Sequence, residues 1–389
     1  MTSHADWSVY NDGRWLAESG GDQQADSIRA LGKGPLARNE WEPVPISKLG
    51  PGTSPNWIWP GYVARGHTTL FTALWKSGKT TLMGHLLRDI TGGSGLLSGP
   101  VDVNTLVVTE ESERLWARRR DDLGLTDRVH IRARPFITKP DLDGWYELIE
   151  FVGVKVRDGR YGLVVFDTLT GLWPVQEENS AGEVNRALMP LNALTGAGAG
   201  VVLVHHPRKS GGDEAQASRG SGALTGFVDA IVEMRRYEAG DLADRRRVLK
   251  VFSRLNDEPL ESVIELTPGG YVVLGEKRDV TTTDRWEIIA GLLTGADSGK
   301  TPEEVLACWP TKPAPGIRTI QKDLTEGTAK GRWSRSGSGH KGDAYRYFQA
   351  VFVSRNESSI GARIESGAGS ARTGSPSTDA RQIQEEGES

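Results

Sequence analysis

Cysteine is almost absent from this sequence. Cys308 is the only one in 389 residues, which excludes an internal disulfide and any cysteine-based zinc cluster. Long apolar runs are missing too. No eighteen consecutive apolar residues occur, so the sequence offers no transmembrane helix. The opening MTSHADWSVYNDGRW lacks a basic segment followed by an apolar one and does not read as a signal peptide. Together these absences predict a cytoplasmic protein with no membrane partner. A strong charge of one sign is lacking as well: the formal net charge is −4, with 37% hydrophobic and 25% charged residues. That is the composition of a soluble globular chain, and nothing global advertises a polyanion partner. Charge is nevertheless uneven. Between Lys312 and Arg346 stand eight Lys or Arg against three acids, and a local basic surface of that kind can hold nucleic acid while the whole chain stays acidic.

The pattern along the chain predicts four segments. Residues 1–45 are polar and Gly-rich without periodicity and read as an extended leader. From 46 to 276 short apolar runs alternate with helical patterns, the mark of an α/β domain with a mainly parallel sheet. Its core strands are predicted at HTTLFTAL (67–74), NTLVVTE (104–110), YGLVVFDT (161–168) and AGVVLVHH (199–206), with later strands and hairpins over 229–276. KRDVTTTD (277–284) reads as a boundary, 285–350 as a separate small module, and the Gly-, Ser-, Arg- and Glu-rich end from 355 to 389 as disordered. No internal repeat is found.

The chemistry concentrates in TTLFTALWKSGKTTLMGHLLRDI. A strand that ends abruptly, a turn of backbone N–H groups and a helix whose N-terminus faces the turn make a phosphate loop. Lys76, Ser77, Gly78, Lys79, Thr80 and Thr81 would line it. Lys79 would neutralise the β- and γ-phosphates of ATP, Thr80 would complete a Mg²⁺ shell, and Gly78 would let the backbone approach closely. Ala73 stands where the motif usually opens on glycine. Nucleotide hydrolysis also needs an acid that orients the metal and a group that activates water. Asp167 ends the apolar strand LVVFD and suits the first role. Glu110 ends TLVVTE and suits the second, with Glu111 and Glu113 close behind it as alternatives. His206, in the pair His205–His206 at the end of VVLVHH, could sense the γ-phosphate, whereas a metal site is a poor reading because adjacent strand residues point to opposite faces. The loop 207–224 carries Arg208, Lys209 and Arg219 and could touch DNA. Arg254 ends VLKVFSR and could reach a neighbouring subunit's γ-phosphate.

The ordered set ALWKSGKTT, VVTEE, VVFDT, LVHHPRK and RGSGAL, over residues 46–275, resembles the RepA-like branch of RecA-fold P-loop AAA ATPases, related to DnaB-type hexameric helicases and to KaiC. The resemblance implies a RecA-like core, a hexameric ring with ATP and Mg²⁺ between subunits, and single-stranded DNA in the pore. It also implies Lys79, Thr80, Glu110, Asp167 and His206 as site residues, and Arg254 as an arginine acting in trans. DnaB-type rings place a lysine two positions before that arginine, where this chain has Phe252.

Residues 285–350 read as a winged helix-turn-helix. RWEIIAGLLTG and TPEEVLACW give two helices, the second with Thr301 as N-cap ahead of Pro302. GIRTIQKDLTEGTAKGRW gives a recognition helix with Arg318, Gln321 and Lys322 on its polar face, and WSRSGSGHKGDAYRYF a wing carrying Arg335. The expected function is a DNA-dependent ATPase, a replicative helicase or translocase of a mobile element. The alternatives are an ATP-gated DNA-binding regulator and a recombinase or loader that does not unwind.

Overall fold

A computed structural model describes residues 7–9, 15–17, 43–48, 54–74, 77–206, 222–238, 241, 243–255 and 261–349. Tertiary contacts divide the chain into two units, Met1–Ile288 and Ile289–Ser389.

In the first unit, β1 (Trp7–Val9) and β2 (Trp15–Ala17) form a small antiparallel pair, as do β3 (Trp57–Trp59) and β4 (Val63–Ala64). The elements that follow are β5 (Thr68–Ala73), α1 (Lys79–Gly92), β6 (Thr105–Thr109), α2 (Glu113–Leu123), β7 (Val129–Ala133), α3 (Leu142–Arg157) and β8 (Leu163–Asp167). Then come the short helices α4 (Leu169–Leu172), α5 (Ala181–Leu188) and α6 (Asn192–Gly196), and β9 (Gly200–His205), α7 (Gly222–Phe227), β10 (Ala230–Arg236), β11 (Arg246–Ser253), β12 (Glu261–Thr267) and β13 (Gly270–Glu276). One nine-stranded sheet has the order β13-β12-β11-β10-β5-β9-β8-β6-β7. From β10 to β7 every neighbouring pair is parallel, and β11, β12 and β13 extend the sheet antiparallel. The mainly parallel α/β core expected from the sequence is therefore present, and it fits a P-loop nucleotide hydrolase.

The reason is visible in single strands. In β8, Leu163 and Val165 pack in the core cluster that holds Leu82, Met83 and Leu86 of α1. Val164 and Phe166 pack in the cluster that holds Trp145 and Ile149 of α3. Val202 and Val204 of β9 belong to the first cluster, Val201 and Leu203 to the second. A strand covered on both faces needs apolar side chains at every position, so it reads as a continuous apolar run. Each fully buried Val or Leu contributes roughly 1.5–3 kcal/mol by leaving water.

The segment 277–284, expected to separate the two domains, is helical. That segment is the first half of α8 (Lys277–Leu293). Its residues are tied to the sheet: Tyr237 Oη bonds to Thr281 Oγ1 at 3.1 Å and to Asp284 Oδ2 at 2.9 Å, and Arg246 Nη1 donates to Asp284 Oδ2 at 2.7 Å. Polar side chains of this segment, Thr281 and Asp284, fasten the helix to the sheet. The contact division falls inside this helix, after Ile288.

The second unit contains the end of α8, α9 (Pro302–Ala307), α10 (Ile317–Ala329) and an antiparallel pair of β14 (Trp333–Ser336) and β15 (Arg346–Gln349). Thr301 caps α9 with a full capping box: its hydroxyl accepts from Glu304 N, and Glu304 Oε2 accepts from Thr301 N. Ile320 and Leu324 of α10 are buried, as is Trp333, which donates to Leu324 O at 2.7 Å. Among the described residues no helix is long and apolar enough to cross a membrane.

Candidate functional site

The C-terminal ends of the parallel strands gather the residues that carry chemistry, as open α/β sheets commonly do. β5 ends at Ala73, and α1 begins at Lys79 with Gly78 as its N-cap at φ 99°. That left-handed backbone is open to glycine and strained for other residues. Trp75 and Lys76 lie outside the described residues. The buried Lys79 ammonium donates to Ala73 O at 2.5 Å and to Leu74 O at 2.8 Å. Burial lowers its pKa to about 8, against the pull of the negative Asp167.

Asp167 is the last residue of β8 and shares the face of Leu163 and Val165, so alternation turns it toward α1. It is 2% exposed, and its Oδ2 is buried without a hydrogen-bond partner. Burial raises its pKa to about 6; the Glu111 charge adds to this, while a hydrogen bond with the Thr80 hydroxyl works against it. An orphaned buried carboxylate oxygen beside a hydroxyl suits a hard divalent cation such as Mg²⁺. Among the described residues no group of three or more His, Cys, Asp or Glu could hold a metal without further ligands. Thr80 and Asp167 would thus hold Mg²⁺ jointly with nucleotide phosphates rather than as a closed protein cage.

This shift has a measurable sign. Asp167 binds its proton more tightly folded than unfolded, so its ionisation costs stability as pH rises from about 4 to about 6. Without Mg²⁺, Asp167→Asn is expected to gain stability over the original chain through that window and to keep the gain at pH 7, at most about 3 kcal/mol. The variant should also lose the increase in melting temperature that Mg²⁺-ATP gives. Thermal melts at pH 4, 6 and 7 measure both, and a difference that does not grow with pH would contradict the assignment.

Glu110 follows β6, and its N–H donates to Asp167 O at 3.2 Å. The exposed side chain accepts from the Thr168 hydroxyl at 3.1 Å. It borders a cleft of about 460 Å³ lined also by Arg134, Phe136, Ile137, Gly171 and Leu172. Glu111 is held differently, by a two-pronged ion pair with Arg119 in which one contact spans 2.7 Å. Glu113 is the first residue of α2. Of the three acids, Glu110 alone lines that cleft. A side chain on Gly171 would start 1.8 Å from Glu110 Oε2. Gly171→Ala is therefore expected to displace the carboxylate and lower ATP turnover by about tenfold or more with ATP affinity retained; equal turnover would show that Glu110 has no fixed working position.

The adjacent histidines part company by strand alternation. His205 shares the side of Val201 and Leu203, meets the Trp173 ring edge-on at 6.3 Å and lies 3.5 Å from Glu178. His206 continues the row of Val202 and Val204 on the α1 side. Burial, with the positive charge of Lys79 next, lowers its pKa to about 4, so its imidazole is neutral at pH 7. Its Nδ1 is buried without a partner.

Arg254 lies at the other end of the sheet. Its Nη2 donates to Gly226 O at 2.9 Å, and Nη1 is 3.8 Å from Asp229 Oδ1, while Asp229 Oδ2 accepts from Thr68 N where β5 begins. Arg208, Lys209 and Arg219 lie outside the described residues. In the second unit Arg318 and Lys322 are exposed on α10, Lys322 3.7 Å from Glu326, and Arg335 lies over the Tyr345 ring at 4.0 Å. One contact to the loop was not foreseen: Arg247 Nε donates to Ser77 O at 3.1 Å. Its partner is a backbone carbonyl 170 positions away, and no motif spacing encodes such a bond.

Residues 40–212 match the family model described as AAA domain. The match supports an AAA, P-loop ATPase family. It covers less than half of the chain and includes Lys79, Thr80, Glu110, Asp167 and His206. An AAA ATPase domain implies nucleotide binding, typically with Mg²⁺. No curated protein matches the chain.

Proposed function

We propose that this chain is a DNA-dependent ATPase acting as a homo-oligomeric ring, probed first as a RepA-like hexameric helicase or translocase of a mobile element. The observation that supports it best is the convergence of Lys79, Thr80, Asp167, Glu110 and His206 at the ends of strands paired in the order β5-β9-β8-β6. A phosphate-binding strand, a sensing strand, a metal-orienting strand and a water-activating strand then stand side by side. Lys79 places positive charge at the loop and Glu110 accepts a proton from the attacking water. Mg²⁺, bound with ATP, neutralises charge on the phosphates. The neutral His206 reports the state of the site to the segment that follows it. Arg254, 65% exposed, would serve a neighbour's site in a ring.

The C-terminal unit supports a second reading. Its helices and hairpin follow the order of a winged helix, with Arg318, Lys322 and Arg335 as exposed cations that could bind duplex DNA. In that reading nucleotide sets oligomeric state and the unit reads DNA, without unwinding. ATP hydrolysis measured alone, with single-stranded DNA and with duplex DNA separates the two, with oligomer mass in ATP as the companion measurement. Stimulation by single strands and a closed hexamer favour the motor, and an open filament the recombinase or loader. Hydrolysis indifferent to single strands, with sequence-specific duplex binding, favours the regulator.

A further inference from the structure

Two arginines beside the phosphate loop have no part in the reading above. Arg236 ends β10, Arg247 is the second residue of β11, and the antiparallel register sets them directly opposite one another. The same face of these strands carries Val232, Met234, Leu249 and Val251, all packed in the cluster of α1. Alternation therefore sends both guanidinium groups to the side of the sheet where the loop lies. β10 is parallel to β5 with Met234 level with Ala73, so Arg236 projects just past the point where β5 gives way to the loop. Arg247 reaches the loop itself through Ser77 O, and its Nη1 donates to Asp244 O at 2.9 Å and Arg246 O at 2.8 Å.

Like charges directly opposite on paired strands destabilise them. Neither arginine forms an ion pair among the described residues, although Arg235 and Arg246, their chain neighbours, do. Arg236 Nη1 is buried and finds no hydrogen-bond partner among the described residues. Burial lowers the Arg247 pKa and the Arg236 charge adds to that effect, while Tyr271 and Asp244 work against it. A buried, unpaired donor on a charged group is costly. A tetrahedral oxyanion between the two guanidinium groups would remove the repulsion and satisfy the orphaned N–H, since the guanidinium fork matches phosphate geometry.

We propose that Arg236 and Arg247 form a phosphate-binding site flanking the phosphate loop of the same subunit. The oxyanion is supplied by the terminal phosphate of a nucleotide in that loop or by a nucleic-acid backbone. The first source rests on the nucleotide-binding reading; the site itself does not.

The test uses the full chain. Arg236→Gln is the primary variant because Arg236 forms no bond to the loop, and Arg247→Lys, which keeps the charge, is the second. The site is isolated first in a Lys79→Ala background, where the loop's own anion grip is weakened. Inorganic pyrophosphate should raise the melting temperature of Lys79→Ala, and Lys79→Ala with Arg236→Gln should lose that rise while melting no lower in anion-free buffer. With Lys79 intact, Arg236→Gln should weaken ATP binding by about tenfold and leave ADP binding within about twofold if the terminal phosphate is the ligand. If the backbone is the ligand, ATP and ADP affinities should stay unchanged and affinity for a thymidine oligonucleotide should fall. Arg247→Lys should show the same direction with a smaller effect. An unaltered pyrophosphate response in the double variant, with unaltered ATP and oligonucleotide affinities in Arg236→Gln, would overturn the proposal. An original chain that binds no ATP would defeat the nucleotide reading, and the pyrophosphate comparison would still decide the arginine site.

Discussion

Lys79→Ala is expected to abolish ATP turnover, by at least about 10²-fold in kcat/KM, while leaving the fold in place. Lys79 is the only cation that the described loop residues themselves contribute, and the residue is 4% exposed. Its bonds to Ala73 O and Leu74 O are lost in the variant. Against that loss stands the removal of a buried charge whose burial lowers its pKa to about 8. The two effects oppose each other, so the melting temperature of the ligand-free chain should change little at pH 7. Steady-state hydrolysis together with a thermal melt measures both. Turnover within about twofold of the original chain would remove Lys79 from the site.

Glu110→Gln is expected to keep nucleotide binding and to lower hydrolysis by about 10²–10⁴-fold, the range for loss of a positioned general base. Glutamine preserves the size of the side chain and can still accept from the Thr168 hydroxyl, so the strand end that contacts Asp167 O stays formed. Glu111→Gln is the informative companion. Glu111 is committed to Arg119, and its charge acts on Asp167 more strongly than that of Glu110 does. Its replacement should loosen α2 and ease the ionisation of Asp167, with a far smaller loss of turnover. If Glu111→Gln stops hydrolysis and Glu110→Gln does not, the roles of the two acids are reversed.

Much of the core was legible because buried parallel strands announce themselves. TLFTA, TLVVT, LVVFD and VVLVH are apolar on both faces for the reason that β8 and β9 show: each face meets a different helical layer. The same alternation makes the end residues readable, since Asp167 and His206 continue the α1-facing rows of their strands. What escaped notice followed other rules. β7, VHIRA, is an edge strand and only half-buried, so His130 and Arg132 break the apolar run that marks its parallel neighbours. β3 and β4 are too short to show a period. KRDVTTTD carries its function in hydrogen bonds to Tyr237 and Arg246 rather than in apolar spacing. Arg247 was invisible for a related reason. Its contact with Ser77 depends on the order of strands in the sheet, with β10 next to β5 and β11 beyond, and that order is set by packing across the whole domain. Long-range register is the quantity a single sequence encodes least directly.

The most direct test of the central claim is steady-state ATP hydrolysis by the purified chain, with Mg²⁺ present and with Mg²⁺ chelated. Turnover is expected to require Mg²⁺ and to be lost in Asp167→Asn, because Thr80 and Asp167 would hold the cation only together with nucleotide phosphates. Turnover that survives chelation, or an Asp167→Asn variant as active as the original chain, would contradict it.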